Sequence, residues 1–135
     1  MKKKFLLVVA DYYANISTGL LNSANKEIPS SFYIKTIHVP GVFEIPVIIS
    51  RNIKKYDGFI ALGCVIKGKT PHFDFISQAT TNAIMNLSIQ SKKPISNGII
   101  TCLNKKQARD RSGNSDKANK GQEASQAVLS VLNNF

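Results

Sequence analysis

No stretch of this chain stays apolar for long. The longest unbroken run, Phe5–Ala10, has six residues, whereas a membrane-spanning helix needs about twenty. Charge is sparse and one-sided: 8 acidic residues stand against 18 basic ones, and charged residues make up 19% of the chain. With hydrophobic residues at 43%, this excludes a disordered chain and a long coiled coil. Cysteine is scarce as well. Cys64 and Cys102 each lie inside an apolar run, where buried, reduced thiols are expected. Together with His38 and His72 they share no ligand spacing, so no zinc site is expected.

What remains is one domain's worth of sequence, 135 residues, enough to bury a core without disulfides or metals. The lysines of Met1-Lys2-Lys3-Lys4 resemble the start of a signal peptide. The apolar run behind them stops at Asp11 without a small-residue cleavage site. That run is read as a strand, and the protein as cytoplasmic with no membrane partner. A net charge of +10 invites a nucleic-acid reading. The basic residues are scattered, however, and no stretch interleaves them with aromatics. A basic surface, or pockets for anionic metabolites, is the preferred account of the charge.

The chain alternates between two periodicities. Phe5–Ala10 is a strand buried on both faces. Ile16, Leu20, Ala24 and Ile28 recur every four residues and mark a helix that Pro29 ends. Residues 33–39 form a β-branched and aromatic strand, broken by Pro40-Gly41. Pro46 opens a short helix reaching about Lys55. A third strand covers 59–66. A long helix follows from His72 to about Gln90, with Phe73, Ile76, Thr80, Ala83, Ile84 and Leu87 as its stripe. A fourth strand covers 95–103. Asn104 caps a helix that ends near Gly113. Asn119 caps a last helix with Ala124, Ala127, Val128, Val131 and Leu132 as its buried face. Strands joined by crossover helices imply a single α/β domain, a four-stranded parallel sheet with helices on both faces.

Ligands of such sheets bind beyond the carboxyl ends of the strands. Those tips carry Asp11-Tyr12-Tyr13, Pro40-Gly41-Val42-Phe43-Glu44, Lys67 through His72, and Cys102-Leu103-Asn104. Gly68-Lys69-Thr70 precedes a helix, whose amides can hold an anion. Gly63-x-x-x-x-Gly68-Lys69-Thr70 fits the phosphate-loop expression, but Cys64-Val65-Ile66 is strand sequence rather than a flexible cradle. His72 is either a proton shuttle near neutral pH or a helix-start residue bonded to its loop. Glu44 is either a ligand or a helix cap. Tyr12 either stacks on a planar ring or covers the sheet.

Two segments carry a resemblance. Val39-Pro40-Gly41-Val42-Phe43-Glu44-Ile45-Pro46 resembles the VPGxFEIP motif of lumazine synthases. Ala61 through Asp74 is similar to their LGxVIxGxTxHxD segment. Gly98-Ile99-Ile100-Thr101, Gln107-Ala108, Arg111, Asn119-Lys120-Gly121 and Glu123-Ala124 follow in the family's order. The likeness runs from about Phe5 to Leu132. It implies a flavodoxin-like three-layer fold and a transferase of riboflavin biosynthesis that uses no metal or organic cofactor. It also implies small-molecule substrates and active sites shared between neighbouring subunits of a homopentamer.

By position, the resemblance makes His72 the proton-transfer residue. It assigns Lys69, Thr70 and Arg111 to a phosphate and Tyr12 to stacking on a pyrimidine. Val42, Phe43 and Glu44 form the turn around the uracil and ribityl hydroxyls. The backbone of Cys64, Val65 and Ile66 reads the ring, and Lys120 stands near the site. Two positions depart from the pattern. Asn97 replaces a phenylalanine wall supplied by the adjacent subunit, and Tyr12-Tyr13 replaces a Phe-Asn pair. Alternatives are a non-catalytic flavin- or lumazine-binding relative and a basic nucleic-acid-binding α/β protein. In shell-forming members an N-terminal extension adds a strand to a neighbour's sheet. The four residues Met1–Lys4 span at most about 14 Å, and lysines discourage strand addition. The loop 113–118 also looks longer than the tight turn of shell-formers. An isolated pentamer is therefore expected, with a decamer as the fallback.

Overall fold

The computed structural model describes residues 2–113 and 119–135. The chain forms β1 (Lys4–Ala10), α1 (Ala14–Glu27), β2 (Tyr33–Val39), α2 (Ile45–Asn52), β3 (Gly58–Ile66), α3 (His72–Ser91), β4 (Ile95–Cys102), α4 (Lys105–Ser112) and α5 (Lys120–Asn134). A 3₁₀ turn, Val42–Glu44, leads into α2. The four strands are all parallel, in the order β2-β1-β3-β4. The expected α/β architecture is the one observed.

Two cores lie on the two faces of the sheet. On one face, Leu20 and Ala24 of α1, Ala108 of α4, and Ala124 and Val128 of α5 cover Phe5, Leu7, Val9, Ile60 and Leu62. On the other, Ile45 and Ile49 of α2 and Ile84 of α3 cover Leu6, Val8, Phe59 and Ala61. Because β1 from Phe5 onward and the first half of β3 are sealed on both faces, their side chains are entirely apolar. Close approach requires glycine at several points, two of which bear on the site. A Cβ on Gly98 would stand 2.6 Å from Leu62 Cδ2 and 3.1 Å from Ala124 Cβ, so α5 could not lie flat on β4. A Cβ on Gly63 would stand 2.7 Å from Val42 Cγ1, so the 3₁₀ turn could not settle on β3.

The helix caps act as the sequence implies. Asn104 Oδ1 accepts from the Gln107 amide at 2.9 Å, and Gln107 Oε1 accepts in return from the Leu103 amide at 2.8 Å. Asn119 Oδ1 accepts from the Gly121 amide at 2.8 Å. The loop 114–118, on which the expectation about shell closure partly rested, lies outside the described residues.

Three expectations need correction. The helix opened by Pro46 stops at Asn52 rather than Lys55, since Ile53–Lys55 close as turns and Lys93 Nζ donates to the Ile53 carbonyl at 2.6 Å. Of the α3 stripe only Thr80 and Ile84 are fully buried, and Phe73, Ile76 and Leu87 are partly so. On α5, Ala124 and Val128 are buried, but Ala127 and Val131 are exposed. The physical reason is the same in both helices. β4 is an edge strand, so flanking residues that point past it meet no further element of this chain. Met85 and Val131 are 59% and 43% exposed there.

Lys92 ends α3 in the left-handed region, at φ 61° and ψ 24°. A side chain is disfavoured there and glycine is not. Lys92→Gly is expected to raise stability by about 0.5–1 kcal/mol, read as a shifted urea midpoint at constant slope. A lower midpoint would assign Lys92 a stabilising contact instead.

The thiols generate a second prediction. Cys64 and Cys102 are both free and buried. Burial, and then the neighbouring Cys102, push the Cys64 thiol up to about 12. The unfolded chain ionises such a thiol first, near about 8.5. Stability is therefore full below that value and declines as pH rises toward 12. Urea midpoints should fall between pH 8 and pH 10.5, and a thiol reagent at pH 8 should label Cys64 only after unfolding. Rapid labelling of the native protein would contradict its burial.

Candidate active site

The order β2-β1-β3-β4 places the reversal of winding between β1 and β3, and the crevice outside their carboxyl ends is the favoured ligand position. The pairing leaves that crevice open. β1 pairs with β3 only as far as Val9↔Leu62, whereas β3 continues to Ile66 alongside β4. The backbone of Gly63–Ile66 thus has one flank without a strand. Cys64 and Val65 point their side chains into the two cores and Ile66 is half-buried. What this segment offers a ligand is main-chain donors and acceptors.

Around it stand the other tips. β1 ends at Ala10, and Tyr12 projects with 75% of its surface exposed, packed edge-on against Tyr13 at 4.9 Å. Tyr12 does not cover the sheet. That task falls to Tyr13, which packs on the core and whose hydroxyl is pushed up mainly by burial. The 3₁₀ turn crosses to β3, buries Val42 against Gly63 and leaves Phe43 60% exposed. Glu44 makes no side-chain cap to α2, so the capping alternative is not realised. Beyond β3, Lys69, Thr70 and His72 are exposed, and the Thr70 hydroxyl accepts from the His72 amide at 3.4 Å. A Cβ on Gly68 would meet nothing within 4 Å, so this loop stands clear of the fold. Gly63–Ile66 are strand, as their apolar sequence implied, and form no phosphate-binding loop.

A brace not foreseen from the sequence steadies this end. The Asp11 amide donates to the Val39 carbonyl at 2.9 Å, and both Asp11 carboxylate oxygens lie 3.0 Å from His38 Nδ1. The Ser17 hydroxyl donates to the Ala10 carbonyl. Together these fix the turn that carries Tyr12. The available signal was the position of Asp11, one residue past a strand tip, but its partner is 27 residues away.

Arg111, Lys120 and Asn97 do not join that cluster. They line a separate cleft of about 210 Å³ with Gly98–Thr101, on the outer side of β4. Arg111 Nη1 donates to the Thr101 carbonyl at 3.4 Å and meets Cys102 Sγ at 3.5 Å, which aims the guanidinium along the strand. Lys120 pairs with Glu123 at 2.7 Å. Asn97 Oδ1 accepts from the Ile99 amide at 3.0 Å, which occupies a donor of the edge strand. The cleft continues into a larger groove of about 620 Å³ between α3 and α5, where Ile84, Met85 and Val131 are exposed or border open space. Among the described residues, no group of three or more His, Cys, Asp or Glu side chains could hold a metal ion.

The arrangement thus offers two half-sites. One has an aromatic face, main-chain polar groups, a carboxylate and an imidazole. The other has a guanidinium and an ammonium beside an uncovered apolar groove.

Comparison with known proteins places this sequence in a family. Residues 2–135 match the family model of 6,7-dimethyl-8-ribityllumazine synthase. A protein of that name from Bartonella tribocorum is 41% identical, covering 98% of this chain and 91% of its own. One from Cutibacterium acnes is 38% identical over 96% of this chain and 80% of its own. One from Nitrobacter hamburgensis is 38% identical over 94% and 82%. With a match along nearly its whole length, the chain belongs to the 6,7-dimethyl-8-ribityllumazine synthase family.

Proposed function

We propose that this chain condenses 5-amino-6-(D-ribitylamino)uracil with 3,4-dihydroxy-2-butanone 4-phosphate. The products are 6,7-dimethyl-8-ribityllumazine, phosphate and water, in the penultimate step of riboflavin biosynthesis. The observation that carries the reading is the open flank of Gly63–Ile66 between Tyr12 and the Val42–Glu44 turn, in a chain of this family. A planar heterocycle placed there meets main-chain groups at its edge and the Tyr12 ring on its face. The half-buried Glu44 carboxylate suits the ribityl hydroxyls.

The chemistry assigns the remaining groups. The amine attacks the ketone, and water leaves as the imine forms. Phosphate is eliminated, and a second attack closes the ring with loss of water. Every step moves a proton, and the exposed His72 imidazole on the loop beyond β3 can carry it. Lys69, Thr70 and Arg111 hold the phosphate, with the planar guanidinium as the best-matched partner. Much of the acceleration comes from holding two reactants together. The protein works in the cytoplasm on small molecules; among the described residues no helix is long and apolar enough to cross a membrane.

Arg111 and Lys120 lie beside β4, two strands from β1, about 10 Å across the sheet. We propose that they complete the site of a neighbouring copy. The groove between α3 and α5 is then covered by that neighbour, in a ring of five. Asn97 lines the junction as a polar wall, and the role of Lys120 is to support the phosphate.

The direct test is appearance of the fluorescent lumazine from the two purified substrates. No product under saturating conditions would leave only a binding role. His72→Asn should lower kcat about ten- to a thousandfold with KM little changed; an unchanged rate from pH 6 to 8 removes His72 from proton transfer. Arg111→Ala should raise KM for the phosphorylated butanone far more than for the pyrimidine, equivalent to roughly 2–5 kcal/mol if that contact is buried. Equal rises in both would make Arg111 structural. Light scattering should give about 74 kDa for five chains of 14.8 kDa. About 148 kDa would identify paired rings, a megadalton particle a closed shell, and an active monomer would overturn the shared site.

A further inference from the structure

The opposite end of the sheet carries a cleft that the reaction does not use. It has a volume of about 560 Å³ and is lined by Lys2, Lys4, Tyr33, Lys54, Lys55 and Tyr56. Its floor is well tied. The Tyr33 amide donates to the Lys3 carbonyl and the Asp57 amide to the Lys4 carbonyl, each at 2.8 Å. Tyr56 is anchored edge-on to the buried Phe59 at 6.1 Å. Burial pushes the Tyr56 hydroxyl up, and the neighbouring Tyr33 phenol adds to that shift, so the two phenols share one space.

Four ammonium groups surround this space, and none of the lining residues is acidic. Asp57 is the acid beside them, and its Oδ2 accepts from the Lys4 main-chain amide at 2.8 Å. Among the described residues, none of the four ammonium groups forms an ion pair. The dipole of α2 does not account for the cluster. That helix end already has a cation in Lys93, whose Nζ donates to the Ile53 carbonyl at 2.6 Å. Lys2 and Lys4 come from the other end of the chain's first strand and owe nothing to α2. Unpaired like charges gathered around a concave, phenol-walled space repel one another until an anion enters.

We propose that this cleft binds an anion carrying two or more linked phosphates, at a site separate from the proposed reaction centre. The ammonium groups meet the phosphate charges, the two phenols donate hydrogen bonds, and the exposed face of Tyr33 can accept a nucleobase. Nothing in this proposal depends on the condensation reaction.

The test is calorimetric titration of the assembled wild-type protein with pyrophosphate and, separately, with ADP, at 50 mM salt. Saturable binding is expected, weakening steeply between 50 and 200 mM salt. Lys54→Gln/Lys55→Gln should weaken it at least tenfold with an unchanged thermal midpoint. Arg111→Ala should leave it unaltered. Lys105→Gln/Lys106→Gln, which removes the same charge elsewhere, should change it less than twofold. Tighter binding of ADP than of pyrophosphate assigns the ligand to nucleotides, and equal binding assigns it to phosphate chains; either supports the site. Loss in Arg111→Ala would move the ligand to the reaction centre and overturn the proposal. Equal weakening by both lysine pairs would reduce it to net charge and overturn it as well.

Discussion

Helices cover both faces of the sheet, and the side chains of β1 from Phe5 to Ala10 are spent on the two cores that result. The same holds for β3 from Phe59 to Leu62. A reactive side chain at any of these positions would be a buried polar group without a partner. Chemistry is therefore displaced to where the strands stop or the ladder lapses. Both conditions meet at Gly63–Ile66, where β3 outruns β1 and one flank of its backbone has no strand beside it. The missing Cβ of Gly63 lets the Val42–Glu44 turn lie over that spot, so one close contact joins the packing of the core to the shape of the crevice.

The second constraint is the sheet edge. β4 has α3 and α5 beside it but no strand beyond it. An open edge invites indiscriminate pairing. Asn97 blunts it by folding its own carboxamide onto the Ile99 amide. This gives a physical reason for a polar residue there whatever else it does. It also makes the adjoining cleft more polar than an aromatic side chain would.

Most of the fold was legible because each element satisfied a local rule. The unbroken apolar run of β1, the four-residue period of α1 and the asparagine caps of α4 and α5 depend on neighbours a few residues away. The discrepancies arise where a rule meets tertiary context. Ala127 and Val131 have the period of a buried face, but the partner needed to bury them is absent at an edge. Ile53–Lys55 continue the helical pattern, but Lys93 caps the chain earlier. The tip residues Tyr12, Glu44 and His72 were identifiable from position and motif. Their separation from Arg111 was not, since it depends on strand order, which local spacing does not encode. The Asp11–His38 pair and the lysines at the far end are likewise contacts between distant segments, invisible to periodicity.

The two cores also differ in when they can form. Leu6, Val8, Phe59 and Ala61 are covered by α2 and α3, all of them joined early in the chain. The opposite core waits for α5, whose Ala124 and Val128 close over β1 and β3. Ser125 donates to the Ala24 carbonyl at 2.8 Å across a separation of 101 residues. During synthesis on the ribosome, α5 emerges after every element it covers. Phe5, Leu7 and Val9 then have only the partial cover of α1 until nearly the whole domain has left the exit tunnel. Completion of this face is a late, long-range step, and it sets the moment at which the nascent chain stops being sticky.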